Sequence, residues 1–168
     1  SHFYNSEWIE TSVIRKYEKI INDNYAKIFK AGVEIALNYQ RKSVEIGLFN
    51  LGTNNKIASS CLAEFPGCCG ICISTGAWVS TGLTGKGIGT ILNKFRIELA
   101  EAYGFGLLIC TDVAYNKPQA RVLEKVGLED IKTFRNPRTH NTVKIHCINL
   151  PFFGNYNKID PEPIVVRH

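Results

Sequence analysis

Four glycines, Gly82, Gly85, Gly87 and Gly89, surround a lone cation, Lys86, just after an apolar segment that ends in Trp78-Val79. Such spacing suits an oxyanion, because backbone N–H groups beside glycines approach a ligand with no Cβ in the way. A helix starting here leaves its first N–H groups without intrahelical partners and adds roughly half a positive charge at the same end. A phosphate or pyrophosphate is the expected guest, held across Thr84, Gly85, Lys86, Gly87, Ile88, Gly89 and Thr90. Two nucleotide motifs are excluded. A P-loop needs Ser or Thr after Lys86 and a glycine five positions before Gly85, whereas Gly87 and Ser80 stand there. The dinucleotide fingerprint lacks its third glycine in both registers, where Thr90 and Leu92 are found.

Other residues able to do chemistry are sparser. Asp112 ends an apolar strand-like run, a usual place for site residues in open α/β sheets, and Tyr115 and Asn116 follow it. Asn116 suits the cap of the next helix. Of the histidines, His146 lies among Val143, Ile145, Cys147 and Ile148 and reads as a strand residue, while His140 lies in a polar turn. Cys61, Cys68, Cys69 and Cys72 contain one Cys-x-x-Cys, but structural zinc draws on two separated pairs, so no metal site is expected. The cysteines read instead as reduced, small apolar residues, with Cys72, Cys110 and Cys147 inside strands. No base adjoins Cys72 or Cys110 in sequence to make either a nucleophile.

The elements that must position these groups follow from periodicity. Trp78 and Val79 favour strand over residues 70–80. Ile88, Ile91, Leu92, Phe95, Leu99 and Tyr103 trace one face of a helix over 88–103, with Gly104 as its C-terminal cap. A second strand over 106–112 makes a parallel pair with the first, joined by that helix in a right-handed crossover. A helix with early Pro118 and final Gly127 comes next. Arg121 and Lys125 on it, and Lys94 on the preceding helix, are placed to meet phosphates or to solvate a helix face. Upstream, an apolar stripe over 6–31 predicts one long helix or two short ones, and 33–39 fits either strand or helix. Residues 43–49 and 56–65 read as a hairpin, and 128–134 with 143–152 as a closing antiparallel pair.

The length of 168 residues with 45% apolar content fits one α/β domain, expected over 1–152, followed by a tail over 153–168 that can lie on a neighbouring copy in a homodimer. A net charge of +5 suits a polyanionic ligand, and no Lys/Arg run forms a nucleic-acid stripe. No run of eighteen apolar residues and no secretory leader is present, so the expectation is a soluble, cytoplasmic protein with no membrane partner. The chain has no Met, even at its start, which leaves room for a first strand ahead of Ser1.

Thr84-Gly85-Lys86-Gly87-Ile88-Gly89 resembles the pyrophosphate loop of the GCN5-related N-acetyltransferases (GNATs), whose pattern is Gln or Arg, two residues, Gly, one residue, then Gly or Ala. Asn116-Lys-Pro-Gln-Ala-Arg-Val-Leu-Glu-Lys-Val-Gly-Leu128 resembles the family's later segment, and the likeness spans about residues 70–150. It implies a mostly antiparallel, twisted sheet with a central parallel pair and flanking helices. It also implies acetyl-CoA as co-substrate and a primary amine (small molecule, protein amine or aminoacyl-tRNA) as acceptor. The two strands of the parallel pair would splay. Backbone at Trp78 and Val79 would hold the thioester carbonyl and Asn116 the pantetheine amide; for that reaction the strand-end position makes Asp112 the candidate base or amine-orienting carboxylate and Tyr115 the candidate proton donor to the thiolate. Thr84 departs from Gln or Arg, Leu123 from a frequent Tyr, and Ile73 from a frequent Glu. A Leu at that place also occurs in the branch resembling ribosomal-protein N-terminal acetyltransferases. The rival implied by those departures is a non-catalytic acyl-CoA sensor or interaction module.

Overall fold

Alternating side chains and short turns build a seven-stranded sheet ordered β1-β2-β3-β4-β5-β7-β6. The computed structural model describes residues 7–113 and 117–150. In chain order these form α1 (Glu7–Tyr25), β1 (Ala31–Asn38), β2 (Ser43–Asn50), β3 (Asn55–Phe65), β4 (Cys68–Val79), α2 (Ile88–Ala102), β5 (Leu107–Val113), α3 (Lys117–Lys125), β6 (Glu129–Arg135) and β7 (Thr142–Asn149). A 3-10 turn, Thr81–Leu83, follows β4. Neighbouring strands run antiparallel except β4 and β5, which are parallel. The architecture is thus the mixed, mostly antiparallel sheet with a central parallel pair that the sequence led us to expect.

The core lies where α1 and α2 press on the sheet. Tyr17 of α1 stacks on Phe95 of α2, ring centroids 4.8 Å apart, above Val44, Ile46, Leu62, Cys72 and Leu108. Phe95 and Leu99 are fully buried, each worth about 1.5–3 kcal/mol by removal from water. Ile21, Tyr25, Phe29, Ile88 and Leu92 form a second cluster with Leu48 and Ala58, and Leu123 of α3 a third with Cys110 and Leu128.

Two sequence expectations need correction or resolution. The apolar stripe over 6–31 is helical only to Tyr25, whose carbonyl accepts the N–H groups of Ile28 (2.8 Å) and Phe29 (3.1 Å) in a closing turn. Phe29 is buried nonetheless. A loop residue thereby continues a helical pattern, which periodicity cannot distinguish from helix. The ambiguous stretch 33–39 falls in β1, because its backbone is paired with β2 from Ala31↔Asn50 to Asn38↔Ser43. Residues 153–168, read as a tail, lie outside the described residues. No helix among the described residues is long and apolar enough to cross a membrane.

Candidate functional site

The glycine loop takes the form that anion binding requires. Gly87 is the N-cap of α2 at φ 89°, a left-handed conformation that a side chain would strain, and no side chain caps the helix. The first bond across the helix start is Ile91 N–H to the Gly87 carbonyl at 3.2 Å. The earlier N–H groups of the first turn have no intrahelical partner. One contact from outside fixes the loop: the Tyr25 hydroxyl donates to the Lys86 carbonyl at 2.5 Å. Lys86 itself is exposed, while the Ile88 side chain is core, so Ile88 can offer a ligand only its backbone. Thr84 turns its hydroxyl back to the Thr81 carbonyl, 2.9 Å away.

Beside the loop the sheet opens. β4 and β5 pair only from Ile71↔Leu107 to Ser74↔Cys110, although β4 continues to Val79 and β5 to Val113. The cause lies partly in β4, which carries one extra residue between Thr75, opposite Cys61, and Trp78, opposite Ser59, with Gly76 at φ 64°. Backbone at Ala77, Trp78 and Val79 therefore has no β5 partner. Trp78 is half-exposed, and the Val79 side chain packs on the second core cluster.

Between β3, the end of β4 and α2 lies a half-open cleft of about 210 Å³, bounded by Thr84 and Gly89 of the loop region, Trp78 of β4 and Ser60 of β3. Its inner wall is polar, which is unusual for the sheet-facing side of a helix. Asn93 and Arg96 occupy that side one turn apart; Asn93 donates to the Gly89 carbonyl at 2.8 Å, and Arg96 donates to the Ser74 hydroxyl and to Asn93 Oδ1. Arg96 is 4% exposed. Burial pushes its guanidinium down to about 10, partly offset by the thiols of Cys110, Cys72 and Cys61.

On β5, past the last residue paired with β4, sits Asp112. It is buried, and its Oδ1 lies 3.1 Å from His146 Nε2 on β7, within ion-pair distance but without hydrogen-bond alignment. His146, 2% exposed, turns Nδ1 to Asp130 Oδ1 of β6 at 2.5 Å. The Asp130 side chain is 60% exposed and also lies 3.5 Å from Lys144 Nζ. Three side chains on adjacent strands thus lie within ion-pair distance of one another, from a buried carboxylate to an exposed one.

No protein-family model matches the chain, and no curated protein does. Solved structures do match. IAA acetyltransferase from Bacillus cereus ATCC 14579 superposes with a TM-score of 0.62 at 14% identity, over 71% of this chain and 99% of that one. A GNAT family acetyltransferase from Elizabethkingia anophelis with acetyl-CoA bound gives 0.59 at 15%, over 67% and 79%. Ribosomal-protein-S18-alanine N-acetyltransferase from Escherichia coli gives 0.56 at 15%, over 65% and 70%. This chain has the GNAT fold. In the frame of the GNAT fold, the glycine loop, Trp78, Val79 and Asp112 gather around the opening between β4 and β5, whereas Tyr115 and Asn116 lie outside the described residues. Leu123 is buried beside Cys110 and Leu128, and Ile73 pairs with Ala63 and Ile109 in mid-sheet. Lys94, Arg121 and Lys125 are exposed on helix faces, and His140 takes φ 61° in the exposed β6–β7 turn. Cys61, Cys68, Cys72, Cys110 and Cys147 are free thiols. Burial holds Cys110 up at about 11 and raises Cys72 further, which disfavours either as a nucleophile.

Arg96, His146 and Asp130 were not singled out as site residues from sequence. Arg96 was recognisable as a charge within the apolar stripe Leu92, Phe95, Leu99. His146 and Asp130 face each other in the β6–β7 register only because of an irregularity between Asp130 and Lys132; an unbroken alignment of the expected pair 128–134 and 143–152 from Phe134↔Val143 sets Ile131 opposite His146 instead.

Proposed function

We propose that this chain is an acetyl-CoA-dependent N-acetyltransferase that transfers an acetyl group to a primary amine by direct attack on the thioester. The observation that carries the reading is the opening of β4 from β5 directly beside an uncapped, glycine-rich helix start. The residues fit the co-substrate: unpartnered N–H groups and a helix dipole suit a pyrophosphate, and strand backbone without a neighbour suits an extended, amide-bearing arm. Acetyl-CoA supplies an activated acyl carbon, so that a C–N bond to the amine forms as the C–S bond breaks and the thiolate leaves.

The chain's part is binding, orientation and proton handling. The loop from Thr84 to Thr90 holds the phosphates, with Lys86 as a mobile cation and Asn116 on the arm. Backbone N–H groups at Trp78 and Val79 polarise the carbonyl. Asp112 takes the amine's proton or orients the amine, with His146 at ion-pair distance behind it, a service Ile73 cannot perform. Tyr115 protonates the thiolate. The acceptor is a small-molecule amine, a protein amine or an aminoacyl-tRNA.

A non-catalytic acyl-CoA sensor is the second reading, favoured by buried Leu123 and by Ile73 at the places where the family resemblance implies a frequent Tyr and Glu. Calorimetric titration with acetyl-CoA, CoA and dephospho-CoA, followed by thiol release with a panel of amines, separates the two. Micromolar binding with amine-dependent release supports the enzyme. Binding without release from any amine supports the sensor, and absence of binding sinks both.

A further inference from the structure

The wall of the cleft that carries Asn93, Arg96, Ser59 and Ser60 has more hydrogen-bonding capacity than an acetyl group can use. Arg96 is nearly inaccessible, yet no carboxylate among the described residues pairs with it. Two of the five N–H groups of a guanidinium are accounted for, by Ser74 and Asn93. Ser60, 1% exposed and also on the cleft, has a hydroxyl with no partner. A buried cation without a counter-charge is costly to keep, and a satisfied core would place leucines at such positions. The cleft, about 210 Å³, has room for more than the three heavy atoms of an acetyl group.

Position decides which ligand would bring the anion. The same cleft is bounded by Thr84 and Gly89 and by Ala77, Trp78 and Val79. Those are the phosphate loop and the unpaired strand end, so the guanidinium closes the cofactor's side of the site. We propose that Arg96, with Ser60 and Asn93, is a carboxylate-binding subsite for the far end of the acyl group, and that the preferred donor is the CoA thioester of a short dicarboxylic acid, of the malonyl, succinyl or glutaryl class. This rests on the acyl-CoA reading above. The transfer keeps the same balance: the amine nitrogen bonds to the thioester carbon, the C–S bond breaks, the amine proton goes to the base, and the distal carboxylate is unchanged. A bidentate Arg–carboxylate contact is among the strongest available in a protein interior, and Arg is better suited to it than Lys.

The test is calorimetric titration of the full chain with succinyl-CoA, acetyl-CoA and CoA, repeated on Arg96→Met and Ser60→Ala. Succinyl-CoA should bind at least tenfold more tightly than acetyl-CoA, and Arg96→Met should erase that difference. Ser60→Ala, which alters one hydroxyl and leaves the guanidinium network intact, should reduce the difference and provides the answer if Arg96→Met does not fold. Acetyl-CoA binding as tightly as succinyl-CoA overturns the subsite while leaving the acyltransferase reading in place, and so does a preference that survives both substitutions. A carboxylate carried by the acceptor would leave the donors alike and make aspartate or glutamate the better amines, which also overturns it. No binding of any CoA species removes both readings together.

Discussion

The hydroxyl of Tyr25, at the end of α1, donates to the carbonyl of Lys86 at 2.5 Å across 61 residues of sequence. The first helix thereby holds the glycine loop open, an arrangement in which Gly87 would bring any Cβ within 3.3 Å of that same hydroxyl. Tyr25→Phe should leave the fold intact but weaken CoA binding about fivefold, the worth of one net hydrogen bond of about 1 kcal/mol. Titration calorimetry of the variant checks this; an affinity equal to the parent's would mean that the loop needs no tether.

Replacing Gly87 and Gly89 together with Val should abolish CoA binding, by about a hundredfold or more. One change strains a left-handed backbone and the other crowds the uncapped N–H groups. Circular dichroism establishes that the variant is folded. A folded double variant with unaltered affinity would refute the phosphate-loop assignment.

Asp112→Asn should lower kcat by roughly a hundredfold or more with little change in KM for the acyl donor, the range expected for loss of a general base. Tyr115→Phe should likewise slow transfer without loosening the donor. His146→Leu should slow transfer and also destabilise the fold, because buried Asp112 would lose the imidazole 3.1 Å from it. The pair Asp112→Asn and His146→Leu together should recover much of that loss. Steady-state kinetics and chemical denaturation read the two effects separately; strictly additive destabilisation would show that the two side chains are not coupled.

Alkali should unfold the protein from the thiol side. The Cys110 thiol is held at about 11 against an ordinary 9.0, chiefly by burial, and Cys72 is raised by the same cause. A group that keeps its proton longer when folded contributes stability that is complete below its unfolded value and lost as pH rises through its folded one. Stability should therefore decline between about pH 9 and 11, and urea midpoints across that range measure it. At pH 8, alkylation should reach exposed Cys68 well before buried Cys72 and Cys110; equal rates would contradict their burial.

Much of the fold could be read from sequence because local signals agreed with tertiary need. Gly87 and Gly104 bracket α2, Pro66-Gly67 turns β3 into β4, and the six-residue apolar face of α2 meets the sheet as its spacing demands. The glycine loop was legible for the same reason, since its chemistry is backbone chemistry encoded by adjacent residues. What was missed is non-local. Nothing near Tyr25 in sequence announces Lys86, and the stripe holding Tyr25 reads equally well past the point where the helix stops. His146 looked like an ordinary strand residue because its two carboxylates come from β5 and β6, 34 and 16 positions earlier in the numbering. Arg96 was hidden by its neighbours: Phe95 and Leu99 define an apolar stripe, and periodicity averages over the one charge placed within it.

That charge has a consequence for engineering the protein. A buried guanidinium facing thiols and hydroxyls is a weak point of the fold, so screens for heat resistance or substitutions toward a typical helix should readily select an apolar residue at position 96. Such a variant would gain robustness and express well. It would also have traded away whatever discrimination the cleft exerts, and thermal improvement at this position should be judged against substrate choice before it is kept.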